Sequence, residues 1–116
     1  MEIKFGSVLK QLRRRSEVSQ RELAEAIGVD FSYISKLEND RLPPPAADTI
    51  VRICERLKVP SEDLLMLSKK IPTDIRETVV GSASALNFLR QAGEMNLTDS
   101  EWGLLQQRLR RLRRRR

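Results

Sequence analysis

A chain of 116 residues with only 4% aromatic residues and no alternating β-branched run can form one small core, and it predicts an all-α fold. One cysteine and no histidine exclude an intrachain disulfide and argue against a metal site. We find no signal-peptide core and no membrane-spanning apolar run, so we expect a cytoplasmic protein without cofactors. The net charge of +6 depends on the run from Arg108 to Arg116; the remainder is slightly acidic, so the high pI indicates no particular partner.

The first predicted helix begins at about Ile3 or Phe5 and ends at Ser16, because apolar residues recur at core-face spacing from Phe5 to Leu12. It closes with three arginines, residues 13–15. In one interpretation these cations only stabilise the C-terminal end of the helix through its dipole. In the other they contact phosphate along the edge of a groove, and both interpretations stay open at this point.

Two short helices joined by a tight turn are predicted between Ser19 and Asn39. Ser19 and Glu22 have the spacing of a capping box at the start of the first of these helices. Gly28 stands where a left-handed residue ends that helix, and Asp30 can cap the next one. The chain should therefore turn sharply between the two helices.

The second helix of the pair combines a buried face with an outward face. Helical spacing places Ile34 and Leu37 inward. The side chains that should point outward near its start are Phe31, Ser32, Ser35 and Lys36. An outward surface of this kind suits a groove.

The motifs S-Q-x-x-L-A, G-V and S-Y-I-S-K-L-E-N resemble the helix-turn-helix of the Cro and lambda-repressor family, also called the xenobiotic-response-element (XRE) family. The resemblance extends from Phe5 to about Leu67. It implies a five-helix lambda-repressor-like DNA-binding domain whose third helix enters the major groove. The implied base-reading residues are Phe31, Ser32, Ser35 and Lys36. The implied phosphate-contacting residues are Ser19, Gln20, Tyr33, Asn39 and Arg41.

Several of these side chains also have purely structural interpretations. Gln20 could be a surface helix former, although by resemblance it contacts phosphate and braces the recognition helix. Tyr33 could pack its ring on neighbouring helices, and Asn39 could supply only the left-handed end of the third helix. Phe31 departs from the family pattern, which often has a polar base reader there; it could contact a thymine methyl. Asp30 places a negative charge close to DNA.

The predicted DNA-binding domain spans residues 1–70 and includes a rigid loop and two further helices. The sequence R-L-P-P-P at Arg41–Pro45 cannot be helical because successive prolines remove backbone donors. The fourth helix follows with an apolar face that includes Cys54, which we interpret as a buried hydrophobe rather than a sensor thiol. Ser61 is predicted to cap the fifth helix.

The C-terminal region, residues 71–116, is predicted to hold three short amphipathic helices and an arginine-rich tail. The first helix should turn Ile75 and Val79 inward. The second, at about Ser84 to Gln91, should bury Leu86 and Leu89, with Phe88 as a further candidate. The tail is either a solvated helix end or a weak contact for any nearby polyanion.

The third C-terminal helix begins at a predicted capping box of Thr98 and Glu101. It carries a stripe with heptad spacing formed by Trp102, Leu105, Leu109 and Leu112. Three short helices with few large residues can hardly form a core of their own. We expect them to pack either on the N-terminal domain or, by preference, on the same region of a second chain, because proteins with this motif usually act as dimers.

The leading hypothesis is a sequence-specific transcription regulator, a dimeric repressor on a near-palindromic operator of double-stranded DNA. The alternative is an interaction protein whose C-terminal helices bind a partner: an antitoxin with its toxin, or a repressor controlled by a metallopeptidase, which L-T-D-S-E-W faintly resembles. An enzyme is not expected, because the sequence has no histidine, no Gly-rich phosphate loop and no acid pair in a plausible cleft.

Overall fold

The computed structural model describes residues 2–113, and all regular structure in this range is helical, which confirms the all-α prediction. The tail residues 114–116 lie outside the described range. The helices are α1 (Phe5–Arg15), α2 (Gln20–Ile27), α3 (Phe31–Glu38), α4 (Ala47–Leu57), α5 (Glu62–Ser68), α6 (Thr73–Val80), α7 (Ala83–Met95) and α8 (Asp99–Arg111).

Helices α1 to α5 enclose one apolar core within the first of two compact units, which ends at Arg76. α3 packs on α1 and α2, and α2 also packs on α4. Each of the five helices contributes at least one side chain without solvent exposure, and these residues are Leu9, Leu23, Ile34, Leu37, Ile50, Ile53 and Leu64. The expected five-helix, lambda-repressor-like domain is confirmed.

Local hydrogen bonds set the ends of α2 and the start of α3. Glu22 N donates to Ser19 Oγ, and Ser19 N donates to the Glu22 carboxylate, both at 3.0 Å. Ser19 lowers the pKa of the Glu22 carboxyl, chiefly through its backbone N–H and secondarily through its side chain. Gly28 ends α2 with a φ of 73°, and Asp30 Oδ1 accepts from Ser32 N at 3.3 Å. The predicted turn therefore forms through contacts between residues close in sequence.

The structure excludes one interpretation of Asn39 and shows that the predicted Ser61 cap is wrong. Asn39 does not adopt the left-handed conformation, because its φ is −97°; the next residue, Asp40, does so with a φ of 56°. Asn39 instead donates its side-chain amide to Ser35 O at 2.8 Å. Ser61 precedes α5 in a helical rather than an extended conformation, so its hydroxyl makes no capping hydrogen bond.

Gly6 allows α1 to approach the end of α3 closely. It is buried, and its backbone N donates to Asp40 Oδ1 at 2.9 Å. A Cβ atom at this position would clash with the carbonyl oxygen of Leu37 and lie 2.6 Å from that of Glu38. Backbone atoms cannot move aside as a flexible side chain can, so this contact requires glycine.

The start of α6 is joined to α4 within the first unit. Asp48 Oδ1 accepts from Thr73 N at 2.8 Å, and Asp48 Oδ2 accepts from Thr73 Oγ1 at 2.6 Å. The hydroxyl and backbone donors of Thr73 lower the pKa of the Asp48 carboxyl. The predicted burial of Ile75 two residues later is wrong, because its side chain is exposed.

The second compact unit begins at Glu77, inside α6, and includes α7 and α8. The Thr98 and Glu101 capping box is present at the start of α8, with hydrogen bonds of 3.2 and 2.9 Å. The predicted burial of Leu86 and Leu89 is wrong, and the further candidate Phe88 is not buried either. All three are exposed, because α7 has too few large partners to enclose them. The assignments of residues 1–70 to DNA binding and 71–116 to dimerisation stay predictions.

None of the described helices combines the length and the apolar character that a membrane crossing needs.

We predict that Gly6→Ala destabilises the first unit by about 1–3 kcal/mol, the usual cost of overpacking a filled site. The matched control is Gly93→Ala in α7, where a Cβ would meet nothing within 4 Å. That change should leave stability unchanged or raise it by about 0.5–1 kcal/mol. Urea unfolding followed by circular dichroism measures both, and a wild-type midpoint for Gly6→Ala would contradict the close approach.

Candidate nucleic-acid interface

The outward face of α3 carries the four residues predicted to read bases. Phe31 is 40% exposed, Ser32 and Lys36 are exposed, and Ser35 is half-buried. They occupy neighbouring positions on consecutive turns, while Ile34 on the opposite face is fully buried in the core. The helix has eight residues and is therefore about 12 Å long, comparable to the width of the major groove. The structure thus brings the whole predicted set onto one surface.

The five residues predicted to contact phosphate flank this face. Ser19 and Gln20 lie at the start of α2, where the Ser19 hydroxyl caps the backbone. Asn39 and Arg41 follow α3, and both are exposed. Tyr33 is half-buried and packs against the core, which agrees with its structural interpretation and leaves a phosphate contact by its hydroxyl as a prediction.

A buried ion pair joins the end of α3 to α1. Arg13 is 8% exposed and Glu38 is 5% exposed. Arg13 Nε donates to Glu38 Oε2, and Arg13 Nη2 donates to Glu38 Oε1 at 2.9 Å. The third guanidinium nitrogen, Nη1, donates to the carbonyl oxygen of Val18 at 2.9 Å. The Arg13 guanidinium therefore connects α1 with both the following turn and α3. Glu38 raises the pKa of Arg13, chiefly through the hydrogen bond between the two side chains.

Gln20 extends this network to the start of α2. Its Nε2 atom donates to Glu38 Oε1 at 3.0 Å. Glu38 therefore accepts from α1 and α2 at once, and every buried side-chain nitrogen and oxygen atom of the described residues has a hydrogen-bond partner. Gln20 braces α3 in the way that the family resemblance implies.

Arg13 corrects the interpretation of the three arginines that end α1. Arg13 neither stabilises the helix dipole nor contacts phosphate, because its guanidinium is buried and forms an ion pair with Glu38. Helical spacing contained the signal: Arg13 follows Leu9 by four residues and so falls on the buried face. Glu38 follows Ile34 by four residues in the same way. Arg14 and Arg15 are exposed, so both helix-dipole stabilisation and phosphate contact stay open for them.

An open cleft of about 470 Å³ lies beside the network at the start of α2. It is lined by Lys10, Arg13, Arg14, Ser19, Gln20, Arg21 and Phe31. Within the described residues, no hydrogen bond or ion pair engages the charged groups of Lys10, Arg14 or Arg21. Lys10 and Arg21 were not predicted from the sequence, because a single cation on a helix surface carries no positional signal. Cations beside a helix N-terminus suit an anion such as phosphate.

Hydrogen bonds from lysine and arginine hold the loops around this surface. Lys70 Nζ donates to the carbonyl oxygens of Pro44 and Pro45 at 3.0 and 2.8 Å, which fixes the proline loop after α3. Arg52 Nη2 donates to Ile27 O at 2.8 Å and satisfies the end of α2. The helix-turn-helix is thus braced at its end as well as at its start.

Cys54 lies in the core and is 1% exposed. Burial raises the pKa of its thiol to about 11, which keeps it protonated at neutral pH and agrees with a packing role. Within residues 2–113 no group of three or more potential ligands is placed to hold a metal ion.

We predict that Glu38→Gln destabilises the first unit by about 3–5 kcal/mol, because it leaves the Arg13 charge buried without its partner. Replacing both residues of the ion pair, Arg13→Met together with Glu38→Leu, should destabilise the unit less than Glu38→Gln alone. Glu25→Gln on the exposed side of α2 is the control and should change stability by no more than about 0.5 kcal/mol. Urea unfolding measures all three; equal stability of Glu38→Gln and Glu25→Gln would disprove a structural role for the pair.

Comparison with known proteins identifies the family. The model of a family described as "Helix-turn-helix domain" matches residues 4–66. The uncharacterized HTH-type transcriptional regulator RghRB of Bacillus subtilis (strain 168) is 34% identical over 91 residues, which are 76% of this chain and 66% of that protein. The HTH-type transcriptional repressor RghR of the same organism is 36% identical over 61 residues, 53% of this chain and 45% of that protein.

This chain thus spans between 45% and 66% of the length of these two curated relatives. Among solved structures, a SinR protein/SinI protein complex aligns with a TM-score of 0.50 and 23% identity, covering 91% of this chain and 94% of that one. This likeness concerns the fold alone. Because the family model covers more than half of the chain, the chain belongs to the helix-turn-helix domain family, as its resemblance to the Cro and lambda-repressor (XRE) group implies.

Proposed function

We propose that the protein is a sequence-specific DNA-binding transcription regulator that acts as a dimeric repressor with α3 in the major groove. The observation that carries the proposal is the outward polar face of α3, held rigidly by the Arg13 and Glu38 ion pair beneath it. The curated relatives support the class, since both are named HTH-type transcriptional regulators and one is named a repressor.

Direct base contacts are assigned to the outward face of α3. The hydroxyls of Ser32 and Ser35 can donate to or accept from a base edge, and the Lys36 ammonium can donate to guanine O6 or N7. Phe31 supplies apolar area for a thymine methyl. Ser32 and Lys36 are exposed, so all of their contact capacity is available to DNA.

Phosphate contacts are assigned to the flanks, where they orient α3 without reading sequence. The start of α2 presents backbone N–H groups together with Ser19 and Gln20. Gln20 Nε2 carries two hydrogens and gives one to Glu38, so the second can reach a phosphate oxygen. Asn39 and Arg41 serve the opposite flank.

Dimerisation is assigned to the second unit because its apolar residues are not enclosed. Leu109 is 66% exposed and Leu112 is 72% exposed, and Trp102 is exposed on the same helix. Together with Leu105 and Phe88 they line a shallow apolar groove of about 320 Å³. An apolar stripe of this kind is stabilised when a second copy covers it.

Opposite charges at the two ends of α8 favour an antiparallel pairing of the two copies. Asp99 and Glu101 stand in its first turn, whereas Arg108, Arg110 and Arg111 stand in its last. An antiparallel arrangement sets the acidic start of one α8 against the basic end of the other. The same two-fold symmetry would present two α3 helices to half-sites about 34 Å apart on a near-palindromic operator.

A second candidate uses the same apolar residues for a different protein, either a toxin or a metallopeptidase that controls the repressor. The exposed residues of α7 and α8 would then contact that partner instead of a second copy. Sedimentation of the pure protein separates the candidates, because only self-association occurs without a partner.

We predict that changing Ser32, Ser35 and Lys36 together to alanine strongly reduces the preference for the operator over random DNA. The operator is first selected from a random pool of duplexes by the wild-type protein. Asn39→Ala is the matched control, and it should weaken binding to all duplexes by a similar factor because phosphate contacts carry no sequence information. A triple variant that keeps its specificity in a competition assay would contradict the assignment of α3 to the groove.

We predict that Leu109→Ser with Leu112→Ser yields a folded monomer whose operator affinity is lower by roughly 10²- to 10⁴-fold, because the second half-site no longer binds at high effective concentration. Met66→Ser, at an α5 side chain that is 75% exposed, controls for the loss of exposed apolar area and should remain dimeric. Sedimentation measures the association state. A stable dimer of the double variant would move the interface elsewhere.

A further inference from the structure

The guanidinium of Arg21 lies over the ring of Phe31. Its Cζ atom is 4.9 Å from the ring centroid, within the range of a cation–π contact. Arg21 is the second residue of α2, and Phe31 is the first residue of α3. The contact therefore crosses the turn and places a cation from the first helix at the leading end of the second.

Stacking leaves the hydrogen-bonding edge of this guanidinium available. An arginine side chain has five N–H donors in one plane, and a ring packed on its face uses none of them. No hydrogen bond or ion pair involving the Arg21 side chain occurs within the described part of the chain. Phe31 is 40% exposed, so the stacked pair lies at the surface of the cleft rather than beneath it.

We propose that Arg21, oriented by Phe31, reads a guanine in each half-site through a bidentate contact to O6 and N7, and this inference rests on the proposed function. Phe31 alone supplies no hydrogen bond at the leading end of α3. An arginine stacked on it restores a strong donor there, because the guanidinium fork matches the two acceptors of guanine. The pair then acts as one reading unit composed of two helices.

The position of the pair favours a base over a phosphate as its target. N-terminal residues of a recognition helix contact base edges, and Phe31 is the first residue of α3. Lys10 and Arg14 line the same cleft with cations from α1, and these suit the phosphate backbone. The remaining base readers discriminate less, because a serine hydroxyl accepts or donates to any base and Lys36 is a single point charge.

The first arm of the test is Arg21→Lys, measured against a panel of operators in which each base pair is changed in turn. The substitution keeps the charge and removes the fork, so discrimination at one G·C pair per half-site should fall by about 5- to 150-fold, while preferences elsewhere remain. Phe31→Leu should reduce discrimination at that same base pair. Arg90→Lys, at an exposed position of α7, is the control and should leave all preferences unchanged.

The second arm replaces the guanine at that position with 7-deazaguanine, which lacks the N7 acceptor. The wild type should lose affinity, and Arg21→Lys should lose much less, because its bidentate contact is already absent. A uniform affinity loss across the panel would place Arg21 on phosphate and overturn the inference, as would an unchanged panel. A wild-type protein that selects no sequence at all would instead refute the proposed function.

Discussion

The ion pair between Arg13 and Glu38 is the interaction on which the rest of the helix-turn-helix depends. It connects α1 with the end of α3, and Gln20 adds the start of α2 to the same carboxylate. Burying two charges is costly unless each has full hydrogen bonding, and here the guanidinium uses all three nitrogens. The pair consequently fixes an orientation, because any rotation of α3 would leave a buried charge without its partner.

That constraint explains how so short a helix can keep a fixed orientation on the rest of the domain. Eight residues are too few for an isolated helix to be stable in water, so the order of α3 comes from its contacts. Ile34, Leu37 and Glu38 hold it from within, and the Gly6 approach closes it against α1. The exposed side chains of Ser32 and Lys36 lie outside this core, so they can be changed without removing a buried contact of α3.

The two units differ in how much of their apolar surface is buried. The first encloses large side chains from five helices, whereas α7 and α8 bury Ala92 and leave Leu109, Leu112 and Met95 exposed. Each of two packed helices covers only one face of the other, so the pair cannot enclose large side chains on every side. The exposed apolar stripe is therefore the observation behind the proposed dimerisation through this unit.

The sequence by itself determined the features that depend on neighbouring residues. Contacts within four residues determine the capping boxes at Ser19 and Thr98, the left-handed Gly28 and the helical periods, so these features could be predicted directly. The helix-turn-helix motif in turn identified the outward face of α3. The tertiary structure decided what depends on distant pairs. Arg13 meets Glu38 across 25 positions, Gly6 meets Asp40 across 34, and Arg21 stacks on Phe31 across the turn. No local pattern specifies such partners, because they exist only once the packing of the helices has brought them together.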